Sequence, residues 1–97
     1  DVEVIDLRTL APLDKEAILA SVRKTSRAIV LHEASLTGGI GGEIAAILSQ
    51  EAFEWLDAPV VRVASLDTPV PYSPPLEDYY LPQVKDVLDA ARKLAAY

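Results

Sequence analysis

The feature that most constrains the fold of this sequence is its alternation of short apolar runs with helical repeats. Residues 27–32 contain the uninterrupted run Ala28-Ile29-Val30-Leu31, and residues 59–63 contain a second run rich in valine. Such runs are typical of strands in a parallel sheet that is covered on both faces. A β-branched run at residues 2–7 predicts a third strand.

Amphipathic helices are predicted between and after these strands. The first spans residues 14–24 with Asp14 as its N-cap, because a carboxylate there accepts hydrogen bonds from free first-turn amides. The second spans residues 39–56, and a third runs from Leu81-Pro82 to the C-terminus. Residues 65–80 hold four of the seven prolines, which predicts an extended loop rather than a helix. The order predicts one α/β sandwich domain, residues 1–97, with a mostly parallel sheet.

Charge and cysteine content exclude several classes of function. The net charge of −6 makes nucleic acid and anionic membrane poor partners, since both require a basic surface. A basic protein would be a favourable partner, although the acidity could also serve solubility alone. The absence of cysteine excludes disulfides and thiolate metal sites, and fits a cytoplasmic or mitochondrial-matrix setting. Every apolar run is far shorter than the roughly 20 residues of a membrane span.

Two local features are candidates for chemistry. His32 lies at the carboxyl end of its predicted strand, where ligands bind in open α/β sheets, so it is a candidate base or phosphate contact. The alternative is a hydrogen-bonded histidine at a subunit interface. The segment Gly38-Gly39-Ile40-Gly41-Gly42 could be a phosphate loop, but it matches neither a P-loop nor a dinucleotide fingerprint. The preferred alternative for the segment is close packing of helix on sheet or of subunit on subunit, which only glycine allows. A lone histidine without cysteine argues against a zinc site.

Several stretches together resemble the β subunits of thiamine-diphosphate-dependent 2-oxo acid dehydrogenases. No single motif is decisive, but their order and spacing cover the whole chain. The matching stretches are residues 3–14 (EVIDLRTLAPLD), 21–27 (SVRKTSR), 32–44 (HEASLTGGIGGEI), 56–63 (LDAPVVRV), 67–72 (DTPVPY) and Leu81-Pro82.

This resemblance implies a transketolase C-terminal-like fold, which is a three-layer α/β/α sandwich. Members of the family begin with one further βα unit, so the 97 residues are expected to be a fragment of a longer β subunit. The intact enzyme implied is an α₂β₂ heterotetramer that uses thiamine diphosphate and magnesium. It oxidatively decarboxylates a 2-oxo acid and transfers the acyl group to a lipoyl acyltransferase.

The resemblance also implies where partners bind. In the family, this domain supplies contacts to the α subunit and the second β subunit, and it docks the basic subunit-binding domain of the acyltransferase core. Asp57 and the carboxylate of Tyr97 match the acidic docking positions, and no catalytic, cofactor-binding or metal-binding residue is expected in this chain. An ordinary solvated carboxylate is the alternative for Asp57. His32, Gly38 and Gly39 are expected at subunit interfaces.

Other interpretations remain open at this stage. The chain could be the C-terminal domain of another thiamine enzyme, such as a transketolase or a deoxyxylulose-phosphate synthase. Those enzymes lack the segment DTPVPY followed by Leu81-Pro82, which disfavours them. A stand-alone interaction domain is the third interpretation. The substrate is not determined, because the stretch from His32 favours branched-chain enzymes whereas residues 81–87 (LPQVKDV) resemble pyruvate enzymes.

Overall fold

The structure is a computed structural model that describes all residues, 1–97. Two parallel strands and four helices alternate along the chain, and a short 3₁₀ turn, Phe53–Trp55, follows the second helix. The elements are α1 (Lys15–Thr25), β1 (Ile29–Ser35), α2 (Ile40–Glu51), β2 (Val61–Ser65), α3 (Pro74–Tyr80) and α4 (Val84–Ala95). Strand and helix boundaries lie a few residues from those predicted, and the predicted α/β class is confirmed.

The sheet consists of β1 and β2 in parallel. Ile29 pairs with Val61, and Leu31 pairs with Val63, before an irregularity shifts the register towards Ser35. Helices α2 and α4 both contact the two strands. The carboxyl ends of both strands therefore lie side by side, next to the start of α2.

The strand predicted at residues 2–7 is not formed, and that prediction was wrong. The segment pairs with no strand, and Val2 and Val4 are 79% and 85% exposed. It lies instead beside α1, where Glu3 forms an ion pair with Lys24 and Leu7 packs against the core. A β-branched run becomes a strand only when a neighbouring strand supplies its hydrogen-bond partners, and no strand lies next to this run.

The core lies between α1 and α2. Its buried members are Ile18, Leu19, Val22, Ile44, Leu48 and Ala52, and Val30 and Val60 of the sheet region pack against it. Asp14 caps α1 as predicted, because the Ala17 amide donates to its carboxylate over 3.1 Å. The helical spacing of α1 and α2 thus places one apolar face of each against the other and against the sheet.

The predicted loop contains a helix, α3, which corrects the expectation that residues 65–80 have none. Pro74 and Pro75 occupy the first two helical positions, where the missing amide hydrogens would have had no helical partner. The Glu77 amide donates to the Ser73 carbonyl over 2.8 Å, and Tyr80 at the end of the helix is buried. Proline therefore starts this helix rather than preventing it.

The last helix begins at Val84, after Leu81-Pro82 and not within it. The Asp86 carboxylate accepts from the Gln83 amide over 2.8 Å and so fixes the first turn. Of the apolar stripe of α4, Leu94 alone is buried, whereas Val84 is 83% exposed. No helix combines the length and the apolar character that crossing a bilayer requires.

Candidate functional site

An open depression of about 440 Å³ lies where the end of α2, the turn after it and the end of the chain meet. We call it the Asp57 depression. It is lined by Ala45, Ser49, Phe53, Leu56, Asp57, Ala58, Pro59, Val60 and Tyr97. Asp57 and Tyr97, the two residues expected at a docking site, are thus brought together although they are far apart in sequence.

The position of Asp57 follows from the way α2 ends. The helix stops at Glu51, and the 3₁₀ turn carries Phe53 outward, where it is 72% exposed. The Asp57 amide then donates to the Ser26 carbonyl over 2.9 Å, and Ala58 beside it is buried. The main chain of Asp57 is therefore anchored while its carboxylate remains free in solvent.

The chemistry of the Asp57 depression is that of a surface for a basic and partly apolar partner. Most of its lining is apolar, and the rings of Phe53 and Tyr97 are largely exposed. The Asp57 carboxylate is the single ionised side chain among the lining residues and takes part in no ion pair within the chain. An unpaired carboxylate among exposed aromatic rings can accept a lysine or arginine side chain of another protein.

A second group of polar side chains lies at the carboxyl ends of the strands. His32 Nδ1 is 3.0 Å from the Ala34 carbonyl, which can only accept, so Nδ1 carries the hydrogen in the neutral ring. Its Nε2 is buried without a partner. A β-carbon added to Gly39 would meet His32 at 2.5 Å, and one added to Gly41 would meet it at 2.7 Å. The ring is therefore covered by the first turn of α2, and no substrate reaches Nε2 in this arrangement.

This geometry favours the close-packing interpretation of the glycines over a phosphate loop. Gly39 and Gly41 let the helix start rest directly on the histidine ring. Gly38 differs, because it adopts the left-handed region with φ of 76°, and nothing lies within 4 Å of its missing β-carbon. The assignment of His32, Gly38 and Gly39 to a subunit interface remains a prediction, and of these Gly38 presents the most open surface.

Hydrogen bonds between Thr37 and Asp67 join the loops that follow the two strands. The Thr37 amide and hydroxyl both donate to Asp67, over 2.8 and 2.5 Å. These two hydrogen bonds lower the pKa of Asp67 below its ordinary value, and the bond from the Thr37 hydroxyl has the larger effect. The positive charge of Arg62 lowers the pKa further. Arg62 also donates to the Leu36 carbonyl. These contacts hold the two loops together.

No three metal-ligating side chains cluster anywhere in the chain. The sequence analysis missed Phe53 as a surface residue, because it extended the second helix to residue 56 whereas α2 ends at Glu51. It also missed Arg62 and the pair of Thr37 with Asp67. The signal that could have identified the last pair is positional, because Thr37 and Asp67 each follow a strand and the ends of adjacent parallel strands meet.

Comparison with known proteins assigns the chain to a family. Residues 1–87 match the family model of the transketolase C-terminal domain. The chain is 47% identical over its full length to the pyruvate dehydrogenase E1 component subunit beta of Rickettsia conorii, and it covers 30% of that protein. It is 50% identical over 95 residues to the mitochondrial 2-oxoisovalerate dehydrogenase subunit beta 2 of Arabidopsis thaliana, of which it covers 26%.

These relatives confirm the predicted resemblance to β subunits of 2-oxo acid dehydrogenases. The chain spans less than a third of the length of the curated relatives that it matches. The match of the family model along nearly the whole chain agrees with the parallel strands and flanking helices. The chain belongs to the transketolase C-terminal domain family.

Proposed function

We propose that this chain is the C-terminal structural and docking domain of the β subunit of a 2-oxo acid dehydrogenase. In this function the Asp57 depression binds the small, basic subunit-binding domain of a lipoyl acyltransferase core. The uncovered apolar side chains of the domain contact the α subunit and a second β subunit in an α₂β₂ assembly. The domain itself carries out no chemical step.

One observation carries the docking proposal. Asp57 and Tyr97 were selected from the resemblance alone, as two separate positions, and they line the same depression. A carboxylate beside two exposed aromatic rings suits a basic partner, because opposite charge raises the association rate and fixes the register of binding. The net charge of −6 adds a long-range attraction for such a partner.

Exposed apolar side chains support the structural part of the proposal. Val2, Val4, Leu31, Val84 and Leu88 are all exposed although they belong to strand-like or helical apolar patterns. Exposed apolar side chains on these elements are available for contact with other subunits. Assembly with further subunits would remove this surface from water.

The proposed enzyme uses thiamine diphosphate and magnesium, which assist decarboxylation of the 2-oxo acid when bound. The residues of this chain do not fit that role, because no three metal-ligating side chains cluster and the Nε2 of the one histidine is covered by glycines. We therefore assign the cofactor to other parts of the enzyme. The relatives support a bacterial cytoplasmic or a mitochondrial matrix location.

Both pyruvate and 2-oxoisovalerate dehydrogenases are among the relatives, at 47% and 50% identity. The substrate is therefore proposed as a 2-oxo acid of one of these two types. An assay of the assembled enzyme with a panel of 2-oxo acids distinguishes them. Equal turnover of pyruvate and a branched-chain 2-oxo acid would show that the enzyme is specific for neither type.

The docking proposal is tested by replacing Asp57 with lysine in the assembled enzyme. The new ammonium would face a basic partner, so we expect affinity for the subunit-binding domain to fall by about tenfold or more, which is about 1.4 kcal/mol. Isothermal titration calorimetry measures this loss. Decarboxylation of the 2-oxo acid by the free enzyme should be unchanged, because Asp57 lies on a solvent-facing surface.

The matched control is Asp89→Lys. Asp89 lies on the exposed side of α4, outside the depression, and takes part in no ion pair or side-chain hydrogen bond of the chain. The Asp89→Lys substitution changes the net charge by the same amount as Asp57→Lys. Equal loss of affinity in both variants, or equal loss of binding and decarboxylation in Asp57→Lys, would overturn the docking proposal.

A further inference from the structure

Arg27 makes the side-chain hydrogen bonds that span the greatest separation in the sequence. Its Nε donates to the Leu94 carbonyl over 3.0 Å, and its Nη2 lies 3.5 Å from the main-chain oxygen of Tyr97. It takes part in none of the four ion pairs of the chain. Its guanidinium is therefore directed at the main-chain oxygens of Leu94 and Tyr97 at the end of α4, where a positive charge is stabilised by the helix dipole.

The end of α4 has few other attachments. Leu94 is the one buried residue of this helix, at 6% exposed, and Tyr97 is 70% exposed. The Tyr97 amide bonds only within its own last turn, to the Leu94 carbonyl. Arg27 therefore adds two hydrogen bonds to the packing of α4 against the strands, at the point where the helix ends next to Tyr97.

The segment that carries Arg27 also anchors the opposite wall of the Asp57 depression. The Ser26 carbonyl accepts from the Asp57 amide over 2.9 Å, and the Ala28 carbonyl accepts from the Val61 amide over 3.1 Å. Ser26 thus holds Asp57 through its main chain, Ala28 holds Val61 next to the lining residue Val60, and Arg27 holds the end of α4 through its side chain. The spacing between Asp57 and Tyr97 depends on this segment.

We propose that Arg27 is a positioning residue for partner binding, which acts by holding Tyr97 at the edge of the Asp57 depression. This inference rests on the proposed function, because it concerns the same surface. Arg27 need not touch the partner. It reduces the conformational freedom that the last turn of α4 would otherwise lose on binding, and preorganisation of this kind raises affinity without adding a contact.

The test is a double-mutant cycle in the assembled enzyme, with the basic subunit-binding domain as the probe. We expect Arg27→Ala to weaken binding about three- to tenfold, in the range for one ordered side chain. In a Tyr97→Ala background the same substitution should change affinity by less than about twofold, because the ring whose position Arg27 fixes is gone although the main-chain oxygen that Arg27 contacts remains. In an Asp57→Asn background its effect should persist in full.

A general structural role for Arg27 gives a different result. Loss of stability alone would weaken binding equally in the wild-type and Tyr97→Ala backgrounds, and that outcome overturns the inference. If Arg27→Ala fails to assemble, Arg27→Lys takes its place in the cycle, because one ammonium cannot replace a guanidinium that bonds two carbonyls. The smaller loss of affinity expected for Arg27→Lys must also disappear in the Tyr97→Ala background. If the loss persists there, the inference is rejected.

The outcomes separate this inference from the proposed function. If Asp57→Asn and Tyr97→Ala both leave affinity unchanged, the docking surface is wrong and the role of Arg27 fails with it. If those variants weaken binding while Arg27→Ala is silent, the docking surface stands and the positioning role alone is wrong.

Discussion

The two adjacent glycines in the first turn of α2 should respond to alanine in opposite ways. A β-carbon on Gly41 would lie 2.7 Å from Nε2 and 2.9 Å from Cδ2 of His32, closer than van der Waals contact allows. A β-carbon on Gly42 would meet only the Arg62 guanidinium, at 3.5 Å or more, which is ordinary contact. One substitution overfills a packed site and the other does not.

The magnitude follows from two terms. Alanine in place of glycine in a helix stabilises by about 0.5–1 kcal/mol, and this term is nearly common to both positions. Overpacking a close-packed site costs about 1–3 kcal/mol, and this term applies to Gly41 alone. The free energy of unfolding should therefore rise for Gly42→Ala, whereas Gly41→Ala should lie about 1–3 kcal/mol below Gly42→Ala.

Urea denaturation followed by circular dichroism measures both variants against the parent chain. Repeating Gly41→Ala in a His32→Ala background provides the internal control, because removing the ring removes the clash. In the His32→Ala background, Gly41→Ala should raise the free energy of unfolding as Gly42→Ala does. Equal shifts for the two glycines, or a Gly41→Ala penalty that survives His32→Ala, would refute the proposed packing of His32 under the helix.

Two further predictions concern hydrogen bonds to carboxylates. The pKa of Asp67 is below its ordinary value of 3.8 in the folded chain, so its bonds with Thr37 contribute stability above that pH, and this contribution is lost as the pH falls through the lowered pKa. Asp67→Asn should therefore flatten the acid side of the stability curve, as measured by thermal unfolding across pH, and an unchanged curve would contradict this. Asp14→Ala removes the acceptor of the Ala17 amide and should lower the free energy of unfolding by about 1 kcal/mol in urea denaturation. Asp14→Ser should restore most of the loss, and failure to do so would assign the effect to charge rather than to capping.

Much of the secondary structure was predictable because its signals are local. Asp14 identified the start of α1, and the apolar runs identified two parallel strands to within a few residues. Residues 2–7 and 74–80 were not predictable in this way. A strand needs a neighbour that no local pattern provides, and the effect of proline depends on whether it lies in the first turn of a helix or within it.

The candidate site was predictable in part. Resemblance selected Asp57 and Tyr97 one at a time, but only the packing of α4 against the strands places them in the same depression. Nothing in the local sequence marks Arg27 as a contact of α4, because its partners are main-chain oxygens 67 and 70 residues away. Every residue carries a backbone acceptor, so residue type does not indicate which one Arg27 contacts.

The sequence by itself determined the α/β class, the acidic character and the helix periodicities, since each depends on composition or on residues close together in the chain. It also indicated the family, through a resemblance carried by stretches along the whole chain. The tertiary structure alone decided that residues 2–7 stay outside the sheet, that the ring of His32 is covered by glycines, and that Asp57 and Tyr97 share a surface. The physical reason is that these features arise from contacts between distant segments. The free energy of these contacts depends on which residues lie next to each other in the folded chain, and local sequence propensity does not predict that.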